Sequence, residues 1–245
     1  MLTLVLFSTL MQAASTNTLP APVTEARIDE QKSDPANVIE STFVAKDWDP
    51  AADPNSPEWT GIKGVEATKG FFGERVSLPA TEIRSRWTEK NLYLLFSCPY
   101  KKLHLKPNPD TSAKTNELWN WDVAEAFIGS DYLKTSRYKE FQVSPQGEFV
   151  DLDIDLGDQK ANKGIEWQSG FTVAAQVDEK RRTWYGEMKI PFGSLDVKAP
   201  KAGDELRIGL YRIEGSEPHR IHVAWRPTGA NTFHMPGAFG SLVLK

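Results

Sequence analysis

The segment Asn116-Glu117-Leu118-Trp119-Asn120-Trp121-Asp122 sets two indoles among polar, turn-forming side chains. Two Trp in so polar a context do not both belong to a core. An exposed indole offers a flat apolar face against which the C–H face of a pyranose stacks, while neighbouring polar groups take its hydroxyls. The run Asp122–Ile128 then alternates: Val123, Glu125 and Phe127 share one face, and Asp122, Ala124 and Ala126 the other. Glu125 is thus a carboxylate between apolar neighbours. Burying it alone is costly, so it either pairs with an Arg or reaches into a polar pocket.

Arg212 poses the same problem on a strand over 206–214, where it shares a face with Leu206, Ile208 and Leu210. It is either the buried partner of Glu125 or a ligand group, because a guanidinium gives two parallel bonds to vicinal hydroxyls or to a uronate. A third set of charges lies in Glu148–Leu156, where Asp151, Asp153 and Asp155 alternate with Val150, Leu152, Ile154 and Leu156. These acids read as a solvated outer face that discourages edge pairing, or as part of a structural Ca²⁺ site, which needs several oxygen ligands at once. EF-hand spacing is absent.

Other chemistries find less support. His104, His219, His222 and His234 lack the Cys or carboxylate spacing of a metal centre and read as loop or surface residues. Cys98 is the only cysteine, which excludes an intramolecular disulfide; among Leu92, Leu94, Leu95 and Phe96 it reads as a buried inert thiol. There is no G-x-S-x-G, P-loop or G-x-G-x-x-G pattern. Glycoside hydrolysis needs two facing carboxylates about 5–10 Å apart. Asp122 and Glu125, three apart on a strand, point to opposite faces, and no catalytic pair is visible.

The elements that must position these residues are strands. Short β-rich runs separated by Gly, Pro, Asn and Asp lie near 42–47, 82–87, 91–98, 122–128, 138–144, 147–156, 170–177, 182–190, 205–214, 220–226 and 241–244. No stretch of a dozen residues carries a helical apolar stripe. The pattern predicts an all-β fold, an antiparallel sandwich of jelly-roll kind with about 10–11 strands. The stretch 49–81, with Pro50, Pro54, Pro57, Gly61, Gly64, Gly70 and Gly73, is a loop of the sort that wraps or caps a site. Eight Trp, six Tyr and twelve Phe suit both strands and flat ligand platforms.

Residues 37–245 read as one domain, preceded by a flexible linker over 16–36 rich in Thr, Pro and Ala. Residues 1–15 read as an export signal, with Leu2, Leu4, Val5, Leu6, Phe7 and Leu10 followed by Ala13, Ala14 and Ser15, which predicts a secreted or periplasmic protein. The signal lacks a basic front end, and the alternative is a frayed apolar start of a cytosolic chain. It is too short to span a bilayer, and no later segment approaches that length. A net charge of -4 and a pI near 5.7 argue against a nucleic-acid partner.

The spacing Trp119-x-x-Asp122-x-x-Glu125-x-Phe127 resembles the signature of the family 9 carbohydrate-binding modules and the broader family 9-like, DOMON-like β-sandwich domains. Further marks follow in the same order: Leu92-Tyr93-Leu94-Leu95-Phe96, Phe141-Gln142-Val143-Ser144-Pro145 and Tyr185-Gly186-Glu187-Met188-Lys189-Ile190-Pro191-Phe192. Ile208 to Glu214, Ala224 to Thr228 and Phe239-Gly240-Ser241-Leu242 complete the resemblance, which runs from about residue 38 to residue 245. It implies a slot in which two aromatic rings sandwich a sugar and polar side chains bond its hydroxyls. By position, Trp119 falls on the first clamp, Glu125 on the hydroxyl acceptor and Phe233 on the second clamp, where Trp is usual. Gln142 stands where the family often has Arg, and Asn231 and His234 lie close enough in sequence to line the slot. Bound Ca²⁺ is common in the family, though no ligand set maps onto this sequence.

The resemblance therefore implies a secreted, non-catalytic carbohydrate-binding protein serving polysaccharide capture or breakdown. Such modules travel with glycoside hydrolases, which makes those enzymes candidate partners. Two other readings stay open: a hydrolase-associated or weakly catalytic domain, and a structural sandwich that has lost sugar binding.

Overall fold

The computed structural model describes residues 35–158, 160 and 163–245. The proposed signal and nearly all of the linker lie outside the described residues. Twelve strands follow in order: β1 (Val38–Phe43), β2 (Val65–Ala67), β3 (Thr81–Trp87), β4 (Asn91–Pro99), β5 (Val123–Gly129), β6 (Arg137–Val143), β7 (Phe149–Asp155), β8 (Thr172–Asp178), β9 (Thr183–Pro191), β10 (Glu205–Glu214), β11 (Ile221–Ala224) and β12 (Gly240–Leu244). One sheet, here the front sheet, has the order β7-β6-β5-β10-β12-β1, with β11 beside β10; the back sheet runs β1-β3-β4-β9-β8, with β2 beside β3.

β1 stitches the two sheets together. Its residues Val38–Ser41 run parallel to β12, and Thr42 and Phe43 run parallel to β3. These parallel pairings depart from the wholly antiparallel expectation. The chain can make them because the excursion between β1 and β3 is long enough for a crossover connection, which a tight hairpin is not. The expected strand at 42–47 begins four residues earlier because Ser41, which points inward with Ile39, breaks the apolar alternation. Ser85 Oγ donates to Ser41 Oγ at 2.8 Å, so the buried hydroxyl is satisfied. β2 lies inside the expected loop and is too short to show a period.

The core lies between the sheets, built from alternate residues of each strand: Leu92, Leu94 and Phe96 of β4, Ala124, Ala126 and Ile128 of β5, and Leu206, Ile208 and Leu210 of β10. Cys98 joins this core, and burial pushes its thiol up to about 12, in keeping with an inert role.

The outer face of the back sheet is closed by the loop after β1. Trp48 stacks on Tyr93 with ring centroids 3.6 Å apart, and Trp59 is fully buried beside them. Buried Glu187 holds this loop down, accepting from Trp48 Nε1 at 2.7 Å, Ala51 N at 3.0 Å and Ala52 N at 2.8 Å. That leaves the outer face of the front sheet for a site.

The acids of β7 correct the sequence reading. Asp151 and Asp153 are buried, not solvated, and face inward at the sandwich edge. Lys114 Nζ lies 2.8 Å from Asp151 Oδ1 and also donates to the carbonyls of Ile165 and Trp167; Lys139 Nζ lies 2.6 Å from Asp153 Oδ1. Asp155 accepts from Gly157 N and Asp158 N, tying a turn. The two inward acids therefore take ammonium partners where the calcium reading needs a metal. Among the described residues no group of three or more His, Cys, Asp or Glu is placed to hold one. Nor, among them, is any helix long and apolar enough to cross a membrane.

Candidate functional site

The pleat of the front sheet turns Val123, Glu125 and Phe127 of β5, Tyr138, Glu140 and Gln142 of β6, and Gly209, Tyr211 and Ile213 of β10 outward. Register does the rest. Glu125 stands opposite Gln142 on one side and Tyr211 on the other, and Glu140 is opposite Phe127. The result is a polar patch ringed by aromatic side chains. It forms the floor of a recess of about 400 Å³ lined by Trp119, Phe71, Phe233, His222 and Asn231, among others.

Trp119 is set on the rim by the turn before β5. Glu117 takes a left-handed backbone (φ 57), and Leu118–Asn120 makes one 3₁₀ turn whose Leu118 is buried as its anchor. Asp122 fixes the end of this turn: its carboxylate accepts from His104 N at 2.9 Å and from Gly215 N at 2.6 Å. Trp121 goes a different way and stacks on His104, with centroids 4.6 Å apart. Of the two indoles, only Trp119 reaches the recess.

The opposite wall is aromatic as well. Phe233 stacks on Tyr211 with centroids 4.2 Å apart and an interplanar angle of 11°, and is only 6% exposed. Phe71, half-buried, leans on Phe233 at 5.0 Å and stacks on His222 at 4.8 Å. A tight turn presents Phe71: Gly70 N donates to Glu74 O at 2.8 Å, Lys69 pairs with Ala224, and Gly229 N caps Phe71 O at 2.8 Å. Gly209 makes room for the Tyr211 ring, since a Cβ there would stand 2.5 Å from Tyr211 Oη.

The electrostatics of the floor are unusual. Gln142 Nε2 donates to Glu140 Oε1 at 2.6 Å. Glu125 Oε1, Glu140 Oε2, Gln142 Oε1 and Tyr211 Oη are buried without a hydrogen-bond partner. Burial, and then the neighbouring Glu140, raise the Glu125 carboxyl well above its ordinary value; burial lifts Glu140 to about 8. Orphaned buried polar atoms are rare in folded proteins, and three of these four, on Glu125, Glu140 and Gln142, line the one recess, which marks a place where a partner is expected.

Of the residues singled out in the sequence, Trp119, Glu125, Gln142, Asn231 and Phe233 line this recess together, with His234 beside them. Arg212 does not. It stands opposite Ala124, so it points between the sheets, where it is fully buried. There it donates to Pro99 O at 2.8 Å and Thr81 Oγ1 at 3.2 Å and pairs with Glu214. It ties β10 to the back sheet and is neither a partner of Glu125 nor a ligand of the recess. Sequence reasoning passed over Phe71, Glu140, Tyr211 and His222. The parity of β6 places Glu140 with Gln142, so that residue was within reach; Phe71 sits in a Gly-rich turn with no period to read.

Comparison with known proteins supplies an independent line. A family model described as "Carbohydrate family 9 binding domain-like" matches residues 55–245. An Arthroderma benhamiae protein described as an "Extracellular protein" is 24% identical over 198 residues, covering 76% of this chain and 86% of that protein. A Bacteroides uniformis crystal structure shares the fold with a TM-score of 0.68 at 15% identity, over 85% of this chain and 99% of that one. A family 9 carbohydrate-binding module from Caldicellulosiruptor kristjanssonii, in complex with cellotriose, aligns with a TM-score of 0.58 at 14% identity, over 85% of this chain and 93% of that one.

Proposed function

This chain belongs to the carbohydrate family 9 binding domain-like family, and on that premise we propose that it binds saccharides in the recess on its front sheet, without cleaving them. One observation carries the reading: an aromatic-walled recess whose floor holds three buried polar atoms, Glu125 Oε1, Glu140 Oε2 and Gln142 Oε1, with no partner among the described residues. A sugar ring fits both halves of that description. Its C–H face stacks on Trp119 and on the Phe71–Phe233 wall, while its hydroxyls donate to Glu125, Gln142 and Glu140. Phe233 has its ring against Tyr211, so it backs the second wall, and Phe71 completes it.

The recess also bears on the hydrolytic reading. Glu125 and Glu140 are two neighbouring carboxyls, but both lie on one floor, beneath whatever the recess holds, instead of flanking a bond. Both are pushed upward, whereas acid–base hydrolysis needs environments that drive the two values apart. The pair suits recognition better than catalysis.

We place the protein's work outside the cell. The apolar start of the sequence and the Arthroderma benhamiae relative described as extracellular support this. A protein of this kind serves polysaccharide capture or breakdown alongside glycoside hydrolases.

Affinity electrophoresis against soluble β-glucans, xylans and pectins tests the binding. Retention is expected in at least one gel, and Trp119→Ala is expected to weaken it by about 2 kcal/mol, roughly thirtyfold, the value of burying one face of an indole. Absence of retention throughout, or retention unaffected by Trp119→Ala, would remove the recess as the site.

A further inference from the structure

Among the described residues, the floor of the recess carries two acids and no cation. Glu125 and Glu140 are each 2% exposed, and none of the residues lining the recess is a lysine or an arginine. The cations of the surrounding elements are engaged elsewhere. Lys139 of β6 points inward to Asp153, Arg212 of β10 pairs inward with Glu214, and Arg207 donates to the carbonyls of Asp131 and Arg137. Arg226 donates to Ala238 O at 2.8 Å, and its charge is felt at the Tyr211 hydroxyl. Of the groups that face the pair, Tyr138, Tyr211, His222 and His234 are neutral ring systems at pH 7, and burial holds both histidines below their usual range. Other buried carboxylates have what these lack: Asp151 has Lys114, Asp153 has Lys139 and Glu214 has Arg212, while Glu187 and Asp122 each take two or more N–H donors.

The unpartnered atoms point the same way. Gln142 Oε1 is an acceptor, Glu125 Oε1 and Glu140 Oε2 become acceptors once the pair is ionised, and one of the two Gln142 amide N–H donors is already given to Glu140. A ligand that satisfies them must supply several donors at one point. A hydroxyl supplies one. A primary ammonium supplies three, together with the missing positive charge. The aromatic walls add to this, because ring faces also attract a cation.

We propose that the recess prefers a saccharide bearing a free amine, its ammonium seated between Glu125 and Glu140. The inference rests on the carbohydrate reading and narrows it to amino sugars. Seating the ammonium draws a proton off the pair, so binding at neutral pH releases protons to the buffer, and affinity rises with pH toward the value at which Glu140 gives up its proton unaided.

Three disaccharides that differ only at the second carbon test this by titration calorimetry at pH 7: cellobiose (hydroxyl), the β-1,4-linked glucosamine dimer (amine) and N,N′-diacetylchitobiose (acetamide). The amine is expected to bind at least about tenfold more tightly than cellobiose, with the acetamide weakest, since a desolvated charge pair is worth more than one extra neutral hydrogen bond. Its apparent enthalpy should differ between phosphate and Tris buffers, as proton release requires. Glu140→Gln should bring the amine and cellobiose within about threefold of each other. Cellobiose binding as tightly as the amine, or an amine preference unchanged in Glu140→Gln, overturns the inference while leaving the carbohydrate reading intact. If none of the three binds and no polysaccharide is retained, the carbohydrate reading falls with it.

Discussion

At the scale of single residues, parity along a strand separates side chains that hold the molecule together from those free to meet a ligand. Arg212 and Tyr211 are neighbours in sequence, yet one is sealed between the sheets and the other lies on the outer face, backing Phe233 of the recess. Arg212→Met should therefore cost about 3–5 kcal/mol, because Glu214 is left buried without its guanidinium, and should leave saccharide affinity within about twofold of wild type. Chemical denaturation and calorimetry on the same variant check both halves. Gly209→Ala should do the reverse, displacing the Tyr211 ring and weakening binding several-fold with a smaller loss of stability, as an overpacked site typically costs about 1–3 kcal/mol. At this scale the sequence was partly legible. Trp119 and Glu125 stood out as an aromatic and a polar residue in unusual company, whereas Gln142 entered only through the family resemblance. Arg212 looked equally unusual, and only its opposite number, Ala124, tells which way it points. Asp151 and Asp153 were misread as solvated because their partners Lys114 and Lys139 come from other segments of the chain.

At the scale of elements, the site depends on how β5, β6 and β10 are held in register, and that depends on the seam. β12 lies between β10 and β1 and gives Leu242 and Leu244 to the core between the sheets. Leu242→Ala is expected to destabilise by about 3 kcal/mol, lowering the melting temperature by roughly 10 °C, since both a buried side chain and the stitching of two sheets are affected. Thermal unfolding followed by circular dichroism measures it. Most strands were readable from alternation; 91–98 and 205–214 were placed nearly to the residue. The seam strand β1 was displaced because Ser41 occupies an inward position, and its parallel pairing left no trace in local pattern because partners 203 residues apart, such as Val38 and Ser241, impose it. The turn carrying Phe71 fell inside a segment expected to wrap a site, which it does, but nothing local to Phe71 marked its aim.

At the scale of the whole molecule, the acids of the recess make the free protein sensitive to pH. Glu125 and Glu140 are raised by burial, as are Asp122 and Glu214. Above the ordinary carboxyl value near 4.5 the native state keeps protons that the unfolded chain has released, so stability falls with rising pH until the native groups have titrated, for Glu140 at about 8. The depressed histidines His104, His222 and His234 act in the opposite sense but have ceased to contribute by about pH 7. The melting temperature of the free protein should therefore decline between pH 7 and 8.5, and Glu140→Gln should flatten that decline; a rise over this interval in wild type would show that the acids are partnered. The architecture leaves one broad face for recognition, since the loop held by Glu187 closes the other. The most direct measurement is a crystal structure after soaking with cellobiose and with the glucosamine dimer. The account predicts a sugar ring over the Glu125–Glu140 floor, with Trp119 on one side and Phe71 on the other. A ring bound elsewhere on the molecule, with the recess filled only by water, would contradict it.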